Sequence, residues 1–139
     1  MGNADDTNLF ASQGLNKTLG VEVREATPER VVATMEVTPA LYQPYGYLHG
    51  GANVALAETV ASLGGFLNCP LGKTAFGLEI NANHLRPVRA GTLTATGAPL
   101  HRGRTSQVWD VKIRDERERL ICVARCTVAI VSIEGGEGA

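Results

Sequence analysis

Residues 43–62 read QPYGYLHGGANVALAETVAS, in which a turn-rich first half is followed by a second half with the composition of a helix. Between Ala52 and Leu63, small and apolar side chains fall on every side of the predicted helix rather than along one stripe. Such a helix is expected to be covered from all directions, and because one sheet covers only one side of it, a partner subunit is expected to cover the rest. The segment therefore predicts one long central helix around which the rest of the chain is arranged.

Glu58 is the single carboxylate of this helix. Taking an ionised carboxylate out of water costs of the order of several kcal/mol unless it is paired or hydrogen-bonded. An ion pair with a downstream arginine or a helix edge that reaches solvent would account for it, and so would a chemical role. Ser62 follows one turn later on the same face, where its hydroxyl could hold a water or a substrate group beside the carboxylate.

Gly50 and Gly51 precede the apolar part of the helix. The first N–H groups of a helix have no acceptor within it, and the helix dipole favours negative charge at this end. Because glycines have no side chain, the N–H groups of both residues are predicted to be unshielded. An acyl carbonyl lodged there would be polarised.

The remainder of the chain reads as short strands joined by turns. Apolar spacing from Leu9 to Leu19 suggests a short first helix that ends near Gly20. Alternation predicts strands over residues 21–24, 31–38, 75–85, 91–101, 105–114 and 120–133. One long helix is buried best when an antiparallel sheet of about five or six strands wraps around it. We therefore predict a single α+β domain over residues 1–139, with flexible ends at 1–8 and 134–139.

The composition excludes several classes of function. A balance of 13 basic and 14 acidic residues, net charge −1, leaves no electrostatic footprint for nucleic acid or an anionic membrane. No window reaches the roughly 18 apolar residues of a membrane span, and the first residues lack a secretory signal, which favours a cytoplasmic location. Cys69, Cys122 and Cys126 form no zinc-type pair, and the last two are predicted to be small core residues.

One combination of residues is specific enough to indicate a family. Gln43 stands six positions before His49-Gly50-Gly51, and Leu56-Ala57-Glu58-Thr59 follows. This run resembles the central segment of the hotdog-fold acyl-CoA thioesterases, in particular the PaaI-like branch related to the Arthrobacter-type 4-hydroxybenzoyl-CoA thioesterase. The resemblance extends from about Gly14 to Ile133.

The resemblance implies a hydrolase that converts a CoA thioester into a free acid and CoA. It gives Glu58 the role of nucleophile or of general base on water. It also implies that the Gly50 N–H, assisted by the Gln43 side chain, donates a hydrogen bond to the thioester oxygen. His49 would bond the thioester or position the loop, unless it only caps the helix. Ser62 would orient water or the acyl ring, unless it only fills space.

The same resemblance implies where CoA binds. Arginines, hydroxyls and a glycine-bearing turn suit the phosphates of CoA, although solvated hairpin arginines are the alternative. The positions carried over to the substrate or CoA are Gly77, His84, Leu85, Arg86, Pro87, His101, Arg102, Gly103, Arg104, Thr105 and Ser106. Variable residues such as Phe66, Leu67 and Phe76 would line the acyl pocket. No metal and no cofactor is expected, because the CoA thioester is itself the substrate.

Members of this family form homodimers, usually paired into tetramers, with active sites at the dimer interface. An aryl or hydroxyaryl acyl group is favoured by analogy with the branch. A non-catalytic acyl-CoA binding module is one alternative, although it would have no use for a carboxylate in an apolar helix. A hotdog hydratase or dehydratase is another, but it would need an Asp/His pair that this helix lacks.

Overall fold

The computed structural model describes Thr7 and residues 10–133 of the chain. A short helix α1 (Gly14–Leu19) precedes the hairpin β1 (Glu22–Ala26) and β2 (Val31–Glu36), and a 3-10 turn (Pro39–Leu41) leads towards the long helix α2 (Gly50–Leu67). Four strands follow, β3 (Lys73–His84), β4 (Thr92–Arg102), β5 (Ser106–Arg114) and β6 (Leu120–Ser132).

The strands form one six-stranded sheet in the order β1-β2-β4-β5-β6-β3, and all neighbours are antiparallel. Helix α2 lies against one face of this sheet and contacts all six strands. The predicted α+β arrangement, a long helix on an antiparallel sheet of about six strands, is confirmed. The predicted first hairpin is also present.

Glycines bring the end of α2 close to the centre of the sheet. A Cβ atom on Gly64 would lie 2.3 Å from the Trp109 ring, so only a glycine permits this approach. The fully buried Trp109 donates from Nε1 to Gln107 Oε1 at 2.9 Å, and Gln107 Nε2 donates to the Gly65 carbonyl at 3.2 Å. These bonds satisfy the buried polar atoms of both side chains and fix the last turns of α2.

Within a single chain α2 is covered on one side only, and the cover predicted for its other side would have to come from a partner subunit. Gly51 and Phe66 are exposed, and Val54 and Glu58 are only half-buried. The physical reason is that one sheet covers one side of a helix. Helix α1 adds a further contact through the Thr59 hydroxyl, which donates to Asn16 Oδ1 at 2.8 Å.

Strand β3 is the edge of the sheet that lies nearest to α2's carboxylate. It pairs with β6 on one side, and within the described residues no strand pairs with its other side. Phe76 and Leu78 on this strand are 61% and 66% exposed. A long edge strand with exposed apolar side chains is a template for pairing with another chain.

The end of the first helix and the burial of two cysteines agree with the sequence patterns. Helix α1 ends where Gly20 adopts a positive φ of 73°, a conformation that glycine tolerates. Thr7, within the range 1–8 predicted to be flexible, is helical. The other residues of the two ends predicted to be flexible, and also Leu9 of the predicted first helix, lie outside the described residues. Cys122 and Cys126 are fully buried, as predicted. No helix in the described part is long and apolar enough to cross a membrane.

Candidate active site

A tight loop brings Gln43 to the beginning of α2. Gln43 N donates to the Tyr47 carbonyl at 2.7 Å, and Gly46, with φ 84°, donates back to the Gln43 carbonyl at 3.1 Å. The Gln43 Oε1 atom accepts from the Tyr45 N–H. Because the oxygen of the side-chain amide is held by the loop, the Nε2 end is the donor that it presents to a ligand.

His49 is the N-cap of α2. Its Nδ1 atom accepts from the Gly51 N–H at 2.8 Å. The prediction that the Gly51 N–H is unshielded is therefore wrong, because the imidazole folds back over it. The Gly50 N–H stands at the first helical position, where a helix offers no acceptor of its own, so Gly50 remains the candidate donor. Of the alternatives for His49, capping is the one seen in this chain.

A cleft of about 320 Å³ opens between the loop, the first turn of α2 and the segment after β3. One wall is the Gly50 backbone, against which the His84 imidazole lies so closely that a Cβ on Gly50 would be 2.9 Å from His84 Nε2. The cleft brings together six of the residues predicted from sequence: Gln43, Gly50, His84, Leu85, Arg86 and Pro87.

Asn53 also lines this cleft, although no sequence signal pointed to it. Its side chain is on the face of α2 that packs towards the sheet and is only 4% exposed. The Oδ1 atom has no hydrogen-bond partner among the described residues. A buried polar group with no partner is uncommon, and each such group calls for a physical explanation.

Glu58 lies further along α2, half-buried beside β3. Its carboxylate rests on Gly77, where an added Cβ would come 2.2 Å from Oε1. None of the ion pairs among the described residues includes Glu58, so the interpretation as a buried ion pair is wrong. Burial, together with the charges of Glu58 and Glu79, raises the pKa of the Cys126 thiol to about 11, so this thiol stays neutral behind the carboxylate.

A single chain does not bring Glu58 to the cleft. Eight residues separate Gly50 from Glu58, which is about 12 Å along a helix. The residues that line the cleft do not include Glu58 or Ser62. The carboxylate and the Gly50 N–H of one chain therefore cannot both reach one thioester group.

The two predicted CoA segments also lie apart. His84 is in register with Cys122 and Ile113 at one end of the sheet, whereas Ser106 is in register with Ala129 and Phe76 near the other. Phe76 and His84 are eight positions apart on β3, which is about 26 Å. Within one chain, the segment 84–87 and the turn 101–106 cannot hold the same phosphate.

The turn between β4 and β5 has a defined internal structure. Gly103 N donates to the Ser106 carbonyl at 2.9 Å, and a Cβ on Gly103 would lie 2.7 Å from His101 Nε2. Arg102 is engaged with the body of the protein, since Nη1 is 3.3 Å from Asn68 Oδ1 and 3.8 Å from Glu29. The turn thus presents Arg104 and Thr105, both exposed, as its outward donors.

The predicted acyl-pocket residues do not line the cleft of their own chain. Phe66 and Phe76 are 36% and 61% exposed, whereas Leu67 is buried at 6%. Phe66 is near the C-terminus of α2, 16 residues or about 24 Å from Gly50 along the helix. These exposed aromatic side chains therefore lie far from the cleft at the N-terminus of α2.

A single long helix laid on a six-stranded antiparallel sheet, with a glycine-rich N-terminus facing a cleft, is the architecture of the hotdog-fold thioesterases. Proteins of this class are thioester hydrolases that act on acyl-CoA. The chain belongs to the Thioesterase superfamily, whose sequence model matches residues 45–122. It is 47% identical over 117 residues to the 1,4-dihydroxy-2-naphthoyl-CoA hydrolase of Listeria monocytogenes, covering 84% of this chain and 95% of that protein.

Solved structures agree with this membership. Thioesterase HI1161 from Haemophilus influenzae superposes with a TM-score of 0.91 at 42% identity, covering 99% of this chain and 96% of that one. SAV0944 from Staphylococcus aureus has been solved as two alanine variants, one at a glutamine and one at a glutamate. The glutamine variant has a TM-score of 0.81 at 43% identity and covers 84% of this chain and 97% of that one. The predicted resemblance to PaaI-like thioesterases is thereby confirmed.

Proposed function

We propose that this thioesterase hydrolyses a CoA thioester with an aryl or hydroxyaryl acyl group at a site that two copies of the chain share. The observation that carries the proposal is the Glu58 carboxylate, which is held against Gly77 on an edge strand and forms no ion pair with any of the described residues. A half-buried carboxylate that no cation neutralises is suited to accept a proton or attack a carbonyl.

The pairing of two copies follows from how α2 lies along β3. The contacts Gly50 to His84 and Gly65 to Ala75 show that the helix and the strand run in opposite directions, with Glu58 beside Gly77 between them. If two β3 edges pair antiparallel about a two-fold axis with Gly77 opposite the partner's His84, each Glu58 reaches the level of the partner's cleft.

The same symmetry brings the separated CoA segments together. The turn 101–106 is level with Phe76, so in this register the partner's turn lies at the end of the joint sheet that carries Arg86. Arg86 and the partner's Arg104 would then hold the phosphates of one CoA molecule. The partner's Phe66 and Phe76 would face the acyl group, which accounts for their exposure in one chain.

The reaction needs a nucleophile and donors for the oxyanion. Glu58 either attacks the carbonyl carbon itself, to be released later by water, or takes a proton from a water that attacks, with Ser62 orienting that water. The Gly50 N–H and Gln43 Nε2 stabilise the negative charge that develops on oxygen. The C–S bond then breaks, the thiolate takes up a proton, and free acid and CoA leave. No metal or cofactor takes part, and a chelator is expected to leave the rate unchanged.

The preference for an aryl group rests on the relatives. The Listeria monocytogenes relative is named for a hydroxylated naphthoyl-CoA. In SAV0944, the glutamine and the glutamate that were replaced by alanine are as far apart along the chain as Gln43 and Glu58. This spacing supports, by analogy, the assignment of both residues to the site.

Thiol release from a panel of CoA thioesters tests the proposal. The wild type is expected to cleave benzoyl-CoA and hydroxybenzoyl-CoA faster than acyl-CoAs with straight aliphatic chains. Glu58→Gln, which keeps the size of the side chain, is expected to lower kcat by about 10²-fold or more, as losses of catalytic groups do. Full activity of this variant would show that Glu58 is not a catalytic residue. A preference for aliphatic chains would refute the assignment of an aryl acyl group to the substrate.

A further inference from the structure

The His84 imidazole stands beside the residue whose N–H is assigned to the thioester oxygen. A Cβ on Gly50 would lie 2.9 Å from His84 Nε2 and 3.1 Å from Cε1, so the end of the ring that carries Nε2 is the part nearest to Gly50. His84 is exposed, and both residues line the cleft. The ring nitrogens of His84 form no hydrogen bond with any of the described residues. A ligand that reaches Gly50 therefore meets a free ring nitrogen.

We propose that His84 is a further catalytic residue, the acid that protonates the sulfur of CoA as the thioester is cleaved. In this step the C–S bond and the Nε2–H bond break, and the electron pair of the C–S bond forms the new S–H bond. The carbonyl group re-forms, and the imidazole regains a proton from solvent. The inference rests on the proposed function, because it takes the Gly50 N–H as the site of the thioester oxygen.

The segment that carries His84 lies on the CoA side of the thioester. Arg86 follows His84 by two residues, lines the same cleft and holds a CoA phosphate in the proposed site. The CoA arm must therefore run from Gly50 along this segment. Sulfur is the atom that joins the carbonyl carbon to this arm. With the carbonyl oxygen at the Gly50 N–H, the sulfur comes beside the imidazole.

The other ionisable side chains of the cleft are poor sources of this proton. Among the described residues these are Tyr47 and Arg86. An arginine does not give up its proton in proteins, and a phenol is a much weaker acid than an imidazolium ion. An imidazole gives up and regains a proton near neutral pH.

His49 is the histidine at the N-terminus of α2, but it does not line the cleft. It lines a separate groove of about 310 Å³, together with residues such as Leu15 and Leu41. Its Nδ1 atom accepts from the Gly51 N–H at 2.8 Å, which holds the ring over the end of the helix. Within one chain, His84 is therefore the histidine that a thioester bound at Gly50 would meet.

Protonation of the sulfur matters most when Glu58 attacks the carbonyl carbon. The tetrahedral intermediate then has two possible leaving groups, the Glu58 carboxylate and the CoA thiolate. A carboxylate is a much weaker base than an alkyl thiolate, so without an acid it would leave first and the substrate would re-form. A proton delivered to the sulfur makes the thiol the better leaving group.

Two small thioesters of nearly the same shape test the inference. S-ethyl thiobenzoate releases a basic thiolate that needs a proton, whereas S-(2,2,2-trifluoroethyl) thiobenzoate releases a much less basic one. His84→Gln keeps a donor but cannot transfer its proton. It is expected to lower kcat/KM, measured by thiol release, by at least about tenfold more for the ethyl than for the trifluoroethyl compound.

Benzoyl-CoA separates proton transfer from binding. His84→Gln is expected to lower kcat by about 10²-fold or more and to change the inhibition constant of free CoA by less than about threefold. Gln43→Ala is the control, since the loss of an oxyanion donor is expected to slow both small thioesters by a similar factor. His84→Asn is the second variant should glutamine prevent folding, which a melting temperature checks.

The inference is overturned if His84→Gln slows both small thioesters equally, or if His49→Gln and not His84→Gln slows the ethyl compound selectively. An unchanged kcat for benzoyl-CoA with a raised inhibition constant of CoA also overturns it, since His84 then only binds CoA. Failure of the wild type to cleave any CoA thioester would instead contradict the proposed function.

Discussion

Gly77 is required by a neighbouring side chain and not by its own backbone conformation. Its φ is not among the positive values of the described glycines. The Glu58 carboxylate occupies the space that a side chain would need. A glycine at this point of β3 therefore determines where the carboxylate of α2 can lie.

Gly77→Ala is expected to displace the Glu58 carboxylate and to lower kcat by at least about tenfold, since misplacement of a reacting group is costly. Stability is expected to change little, because the displaced atom is the end of a flexible side chain. The control is a double-mutant cycle in which Gly77→Ala is added to Glu58→Ala. If alanine at position 77 costs as much activity without the carboxylate as with it, Gly77 acts through something else.

Cys126 gives the chain a dependence of stability on pH. Burial and the carboxylates of Glu58 and Glu79 raise the pKa of its thiol to about 11, above the value of about 8.5 in an unfolded chain. Between these values the folded protein keeps a proton that the unfolded protein releases, so the free energy of unfolding falls as the pH rises.

Urea unfolding at a series of pH values tests this expectation. From about pH 8.5 to pH 11 the wild type is expected to lose stability with rising pH more steeply than Cys126→Ala. Glu58→Gln is expected to reduce the slope, because it removes one of the charges that raise the pKa of the thiol. Identical slopes in all three proteins would show that this thiol does not titrate as assigned.

At the scale of the elements, α2 and the sheet fit each other through Gly64, Gly65 and Trp109. Helix propensity alone favours alanine over glycine by about 1 kcal/mol within a helix. Packing opposes it here, because a Cβ on Gly64 would lie 2.3 Å from the Trp109 ring, which is fully buried. A rigid ring held by Gln107 cannot move aside as a surface side chain can.

Gly64→Ala is therefore expected to destabilise the protein by about 1–3 kcal/mol despite the better helix propensity. Ser62→Ala, at a half-buried position of the same helix, is the comparison and is expected to change stability by less than about 1 kcal/mol. Urea denaturation measures both. Gly64→Ala with stability equal to or above the wild type would mean that α2 can shift on the sheet without cost.

At the scale of the whole molecule, the proposed site depends on the exposed edge of β3. The cleft contains Gln43 and Gly50, but Glu58 lies about 12 Å along the helix from Gly50. Two copies joined at this edge would give two equivalent sites, each with the cleft of one chain and the carboxylate of the other.

Mixing two inactive variants tests this arrangement. When Glu58→Ala and Gln43→Ala chains are co-expressed, half of the dimers formed at random contain one chain of each kind, and each of these has one intact site. Activity is expected to recover to about one quarter of the wild-type value per chain. Each variant expressed alone is the control. A mixture no more active than its parts would require both residues to act within one chain.

Much of the fold could be predicted from the sequence because its elements depend on local patterns. Alternation of apolar residues predicted the strands to within a few residues, and α2 was predicted to begin close to Gly50. The prediction that the Gly51 N–H is unshielded was wrong, because this N–H donates to the His49 imidazole, and the spacing of residues does not determine the rotamer of that side chain. Asn53 was missed because in the sequence it is one polar residue in a largely apolar helix, and its place beside the cleft depends on how the helix packs.

The sequence by itself determined that a long helix would begin at a pair of glycines, carry one carboxylate and lie among antiparallel strands. These features depend on periodicity and residue type over short stretches of chain. Only the tertiary structure decided that Glu58 rests on Gly77, that His84 meets Gly50 and that the CoA segments lie at opposite ends of the sheet. The reason is that such distances are set by strand register and by the direction in which α2 crosses the sheet, and residues far apart in the chain encode both together.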